Sequence, residues 1–227
     1  MKFRMGVVVA FSALAYANYW GLTQAPADRL MGDVYRILYV HVPAAWMALL
    51  CYFTNFIVSI GYLLQRRAAW DHVAEATAEV GVVFTALALT LGSIWGKPTW
   101  GVWWTWDPRL TTTALMCILY TGYLVLRQLM DDPERRAKVS AGVGLLVFLN
   151  VPIVYLSVKW WRSLHQVQSS PSTMDPQMVY GLRLGAFAML AVAIVFVIAR
   201  TRLAQRRAAG EAARFAPPPV ARIQESL

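Results

Sequence analysis

Residues 43–64 read PAAWMALLCYFTNFIVSIGYLL, twenty-two consecutive positions without a charged side chain. As an α-helix rising about 1.5 Å per residue, the stretch is long enough to cross a hydrocarbon core of roughly 30 Å. Comparable apolar runs occupy about 3–21, 79–96, 110–129, 139–158 and 177–199. The chain has 227 residues and is 58% hydrophobic, with a mean hydropathy of +0.47. A soluble domain of this length could not bury so much apolar surface. The expected fold class is therefore all-α, a polytopic membrane protein with six transmembrane helices filling residues 1–199. The first run follows a short MKFR leader, as a secretory signal would. Its end, YANYWGLTQ, carries no small-x-small cleavage site, so a retained helix is expected.

Cations orient the spans, because cytoplasmic loops are enriched in Lys and Arg. One side carries 14 of the 21, namely Lys2, Arg4, Arg66, Arg67, Arg127, Arg135, Arg136, Lys138 and the six arginines after residue 199. The other carries Arg29, Arg36, Lys97, Arg109, Lys159, Arg162 and Arg183. Both termini are expected inside, with 22–42, 97–109 and 159–176 outside. The formal net charge of +9 reflects this bias, and no basic nucleic-acid groove motif accompanies it. Residues 200–227 read as a basic cytoplasmic tail, a short helix on the lipid surface followed by a disordered end. Cys51 and Cys117 lie within apolar spans and form no C-x-x-C or C-x-x-C-H pattern, which argues against both thiol redox chemistry and covalent haem on this chain. No Walker A loop is present, so any ATP hydrolysis belongs to another subunit.

The second outer loop reads KPTWGVWWTWDPRL, residues 97–110. Trp100, Trp103, Trp104 and Asp107 follow an i, i+3, i+4, i+7 pattern, which predicts a helical turn lying flat at the interface. An aromatic belt alone would distribute tryptophan to both interfaces. Nine of the ten tryptophans, all but Trp70, lie in outer loops or near outer helix ends. Spacing by itself leaves both an anchoring loop and a ligand platform open. A second interfacial helix is expected over 28–43, with Pro43 in the first turn of the next span. In the third loop Trp161 and His165 are i and i+4, sharing a face if the fifth helix continues outward. Asp175-Pro176 reads as the cap and first residue of the sixth span, and Asn150-Val-Pro152 as a bend in the fifth. Gly92/Gly96 and Gly181/Gly185 have the spacing of close helix contacts.

Only three histidines exist, and two of them, His41 and His165, flank the tryptophan loop on the outer side. His72 is on the inner side. A lone histidine at a helix end is ordinarily a hydrogen-bonding residue. Two of them beside so much indole could instead hold an iron porphyrin from both axial sides, with indoles covering the macrocycle. Arg36 and Arg109 are the best-placed candidates for the propionates, and interfacial anchoring is the competing role for each.

The stretch WGVWWTWDPRLT, from Trp100 to Thr111, resembles the signature of the WWD family of haem-handling membrane proteins. VHVPAAW around His41 and SVKWWRSLHQ around His165 resemble the short haem exporter C (CcmC) group within it, which acts in cytochrome c maturation. The likeness covers most of residues 30–185 and none of the tail. It implies that haem b, bound transiently and non-covalently, rests against the loop at about 97–111 through Trp100, Gly101, Trp103, Trp104, Trp106 and Asp107. It also implies axial ligation by His41 and His165, with Trp95 and Trp161 as secondary aromatic contacts. The implied location is the bacterial inner membrane with a periplasmic active face. The implied partners are a membrane-anchored haem chaperone (CcmE), an ABC-type ATPase and its membrane subunit (CcmA, CcmB) and a small single-span subunit (CcmD). Presentation of haem and catalysis of its covalent attachment to the chaperone are both compatible with the likeness. Two rival classes are a b-type haem electron-transfer subunit, which usually carries ligands within its spans, and a haem-free scaffold or transporter subunit.

Overall fold

The computed structural model describes residues 1–165 and 174–215. The elements are α1 (Lys2–Tyr19), continued by a π-helical turn Trp20–Gln24, a 3-10 turn Asp33–Ile37, α2 (Leu38–Gln65) and α3 (Ala68–Trp100). There follow α4 (Pro108–Gln128), α5 (Pro133–Phe148), α6 (Asn150–Trp160) and α7 (Pro176–Phe215). Six segments are long and apolar enough to cross a membrane, α5 and α6 together making the fifth. The described residues contain no strand beyond one isolated bridge, Asp28 to Gly32. The protein is thus an all-α polytopic membrane protein.

The helix boundaries have local causes. Asp-Pro pairs open α4, α5 and α7. Asp107 accepts a hydrogen bond from Arg109 N, Asp132 from Arg135 N and Asp175 from Gln177 N, and each following proline supplies a preset φ. Only the last of the three is anticipated from the sequence. The bend at Asn150-Val-Pro152 is a break: α5 ends at Phe148, whose carbonyl has no N–H to meet on Pro152. Pro43 lies inside α2 rather than in its first turn, because the helix begins at Leu38. Its ring withholds a partner from the Tyr39 carbonyl, and Gly185 of α7 rests there. A Cβ at Gly185 would stand 2.7 Å from Tyr39 O, so only glycine admits this approach.

Three expectations about irregular segments are corrected. The tryptophan loop has no helix of its own: α3 runs on through Trp100, Gly101 turns it with φ +81°, and 102–107 are non-helical. Residues 28–43 form a hydrogen-bonded turn at Asp28–Gly32, then the 3-10 turn that runs directly into α2. The fifth helix stops at Trp160, and Trp161 is extended (φ −125°, ψ 156°), so Trp161 and His165 share no helical face. Past residue 199 the chain continues α7 without a break to Phe215, and 216–227 lie outside the described residues.

α2 and α3 make the most extensive helix contact, α1 packs at the edge on α7, and α6 packs on α4. The core between them is aromatic. Tyr52 stacks on Tyr120 at 3.7 Å and shares a 2.9 Å hydrogen bond with Thr85, while a Cβ on Gly81 would collide with the same ring at 2.5 Å. At the end of the bundle away from the tryptophan loop, buried Arg127 of α4 binds Asp71 of α3 through both terminal nitrogens, at 2.7 and 2.9 Å. Arg200 of α7 pairs with Glu79 beside it.

Candidate functional site

At the tryptophan-loop end, α2, α3, α4 and α6 enclose a cavity of about 410 Å³. Small-molecule sites run from about 300 to 1,000 Å³. His41, His165, Trp95, Trp100, Arg109 and Tyr155 line its upper part, and Ala48, Thr85 and Met116 its floor. Along α3 the lining runs from Trp100 to Thr85, a depth of roughly 22 Å at the helical rise. The walls are mostly apolar side chains, which suits a ligand with a large hydrophobic body and few polar groups.

His41 is the fourth residue of α2. Gly92 of α3 makes room for it, since a Cβ there would lie 3.2 Å from its Cε1. Trp95, one turn further along α3, meets the imidazole edge to face at 5.7 Å and is itself met by Tyr35 at 5.6 Å. His41 Nδ1 and Trp95 Nε1 are both buried without a hydrogen-bond partner. Buried polar atoms are ordinarily satisfied, so both atoms are available to bond a ligand on the cavity wall.

His165 reaches the same cavity from the segment after α6. Its ring centre lies 6.5 Å from that of His41, with the planes tilted by 38°. A metal held from both sides by bonds of roughly 2 Å would put two imidazole centres roughly 6.4 Å apart, once the distance from nitrogen to ring centre is added. The spacing therefore leaves room for one metal ion between the rings.

The candidate cations separate. Arg109 lines the cavity and is held there by Ser157 Oγ at 3.0 Å and the Tyr155 carbonyl at 3.2 Å. Arg36 points elsewhere, pairing with Asp33 at 3.0 Å and donating to the Leu22 carbonyl at 2.9 Å. The tryptophans separate too. Trp95 and Trp100 are walls, whereas Trp103 (58% exposed) and Trp106 (81% exposed) stand on the surface above, with Trp104 edge to face against Trp106 at 5.9 Å. Trp161 is exposed beside Trp160. Gly101 serves the turn, its carbonyl accepting from Lys97 Nζ at 3.0 Å. Asp107 is buried, off the cavity, with its carboxylate fully engaged by protein donors. His72 lies on α3 twenty residues before Gly92, roughly 30 Å away, among Glu75, Arg127 and Arg207.

Sequence reasoning missed Tyr155 and the part played by Gly92. The Gly92/Gly96 spacing was a usable signal, but it says only that something approaches, not that the neighbour is a histidine.

A family model described as heme exporter protein C matches residues 2–214. The heme exporter protein C of Escherichia coli (strain K12) is 41% identical over 186 residues, covering 81% of this chain and 75% of that protein. That of Bradyrhizobium diazoefficiens is 36% identical over 189 residues, covering 81% and 72%. A putative cytochrome c biosynthesis ccmC-like mitochondrial protein of Marchantia polymorpha is 40% identical over 155 residues, covering 68% and 65%.

Proposed function

Because the chain belongs to the heme exporter protein C family, whose role is in cytochrome c biogenesis, we propose that it holds haem b in the cavity beneath the tryptophan loop and presents it to a membrane-anchored haem chaperone. The single observation that carries this reading is the pair of imidazoles, His41 and His165, with ring centres 6.5 Å apart across one apolar cavity. Those two residues would take the iron, Trp95 and Trp100 would flank the macrocycle, and Arg109 would face a propionate. Trp103 and Trp106, with half-buried Trp104 between them, form an aromatic rim above the cavity, suited to a ligand that must leave as well as bind. Haem is cargo here, held non-covalently until the chaperone (CcmE) takes it. The ATPase and membrane subunits (CcmA, CcmB) and the small single-span subunit (CcmD) are the further partners of this reading. A b-type electron relay fits less well, since the third histidine of the chain sits alone at the far end.

The purified protein, produced with and without the chaperone, is expected to show a Soret band in both cases and a stronger one without the acceptor. A spectrum with no haem in either preparation removes the reading. Changing Trp103, Trp104 and Trp106 together to Ala should reduce haem retention and chaperone loading while the protein still inserts. Aromatic contacts of this kind contribute about 0.5–1.5 kcal/mol each beyond burial, so single changes are expected to show little. Unaltered haem content and transfer in the triple variant would make the rim an anchor only.

The reading also requires the cavity to face the periplasm from the inner membrane, as the Lys and Arg bias implies. Alkaline phosphatase fused after Trp103 or Gln168 should be active, and after Arg67 or Arg136 inactive. The reverse pattern would put both histidines on the wrong side.

A further inference from the structure

The WWD stretch ends in Asp107, and this carboxylate is 5% exposed, lies off the cavity wall and is surrounded by donors. Oδ1 accepts from Arg109 N at 2.9 Å, which caps α4. The rest of its capacity goes to a segment 56 positions on. Ser163 Oγ approaches Oδ1 at 3.0 Å and Oδ2 at 2.8 Å, and Leu164 N donates to Oδ2 at 2.7 Å. Ser163 Oγ, which donates its O–H to the carboxylate, accepts from His165 N at 3.0 Å. Donors and acceptors therefore run in one direction, from His165 through Ser163 to Asp107.

Resting on the haem reading above, we propose that Asp107 is a positioning residue that sets the second imidazole opposite the first. α6 has already ended at Trp160, so no helix carries His165 to its place. His41, by contrast, is fixed by α2. An ionised carboxylate is an acceptor with about four lone-pair sites and takes charge-assisted bonds, which is what three converging donors require. Capping alone does not explain the choice of residue, because Asn caps a helix about as well as Asp. Asn cannot hold the clamp: with its oxygen kept on the cap, its NH₂ faces the Leu164 N–H, donor against donor.

Asp107→Asn thus separates the two roles, keeping the cap of α4 and losing the hold on 163–165. In the purified full chain, the variant is expected to bind haem at least tenfold more weakly, in the range of about 10–100-fold that outer-shell changes cost a metal site. Its spectrum should shift from the two-imidazole low-spin form toward that of His165→Gly, and added imidazole should restore the low-spin form in both. Ser163→Ala should show the same shift to a smaller degree. The deciding comparison is the double variant. In a His165→Gly background Asp107→Asn should cost nothing more, whereas in a His41→Gly background it should still weaken binding. An equal loss in both backgrounds, or an unchanged single variant, overturns the proposal. Amide exchange at Leu164 in the haem-free protein gives a reading independent of haem and should accelerate at least tenfold in Asp107→Asn. If His165→Gly binds haem like the parent, the ligand assignment falls. Exchange at Leu164 then decides separately whether Asp107 holds the segment, an unchanged rate overturning that as well.

Discussion

His41→Gly and His165→Gly each strip the purified protein of most of its haem and lower chaperone loading, free imidazole returns part of both, and His72→Gly does neither: this is the expected outcome of removing the three histidines one at a time. Changes outside the first ligand shell already cost a metal site about 10–100-fold, so loss of a ligand should exceed tenfold. Glycine leaves a slot the size of the lost ring, and imidazole in solution can fill it from the open end of the cavity. His72→Gly is a fair control because it carries the same backbone penalty as His41→Gly. Both positions lie inside helices, α3 and α2, where glycine costs about 1 kcal/mol. Equal haem loss at all three positions would indicate misfolding, and full haem content without both His41 and His165 would falsify the ligand assignment.

Arg127→Met is expected to cost more stability than any change at the cavity. The guanidinium is 4% exposed and makes paired bonds to Asp71 at 2.7 and 2.9 Å, with Glu75 at 3.3 Å behind. Removing one partner of such a pair leaves a buried charge without compensation, which costs about 3–5 kcal/mol. For a chain of this size the melting temperature in detergent should fall on the order of 10 °C. Replacing both partners, Arg127→Met with Asp71→Leu, should recover most of the loss, because two apolar side chains need no compensation. A single variant that melts with the parent would show that lipid headgroups or water already satisfy the pair. Haem binding serves as the second readout. The pair lies at the opposite end of the bundle from His41, so the haem spectrum of whatever protein remains folded should be unchanged.

The number of spans was legible because the hydrocarbon core acts on each segment separately. Twenty-two uncharged residues at 43–64 demand a helix whatever the neighbours do. The Asp175-Pro176 start and the break at Pro152 were legible for a similar reason, since capping and the missing proline N–H act within one turn. The flat helix expected at Trp100–Asp107 was not formed, because periodicity says nothing of Gly101, whose φ of +81° ends α3 between the first indole and the rest. Arg127 was read as one more cation of the inner side, at the end of the run 110–129, and its pairing with Asp71 had no local signal.

The sequence by itself determined the membrane class, the six helices and the short roll of residues from which a site could be built. Those properties depend on composition and on contacts within a turn or two. Tertiary structure alone decided which of those residues meet. It put His41 and His165 across one cavity, made Trp95 and Trp100 its walls and left Trp103 and Trp106 on the rim. It gave Arg109 rather than Arg36 to the cavity, and turned Asp107 away from it toward Ser163 and Leu164. Each of these outcomes depends on where separate helices end and how closely glycines let them pack. Helix packing is a property of pairs of distant segments, and no periodicity within one segment encodes it.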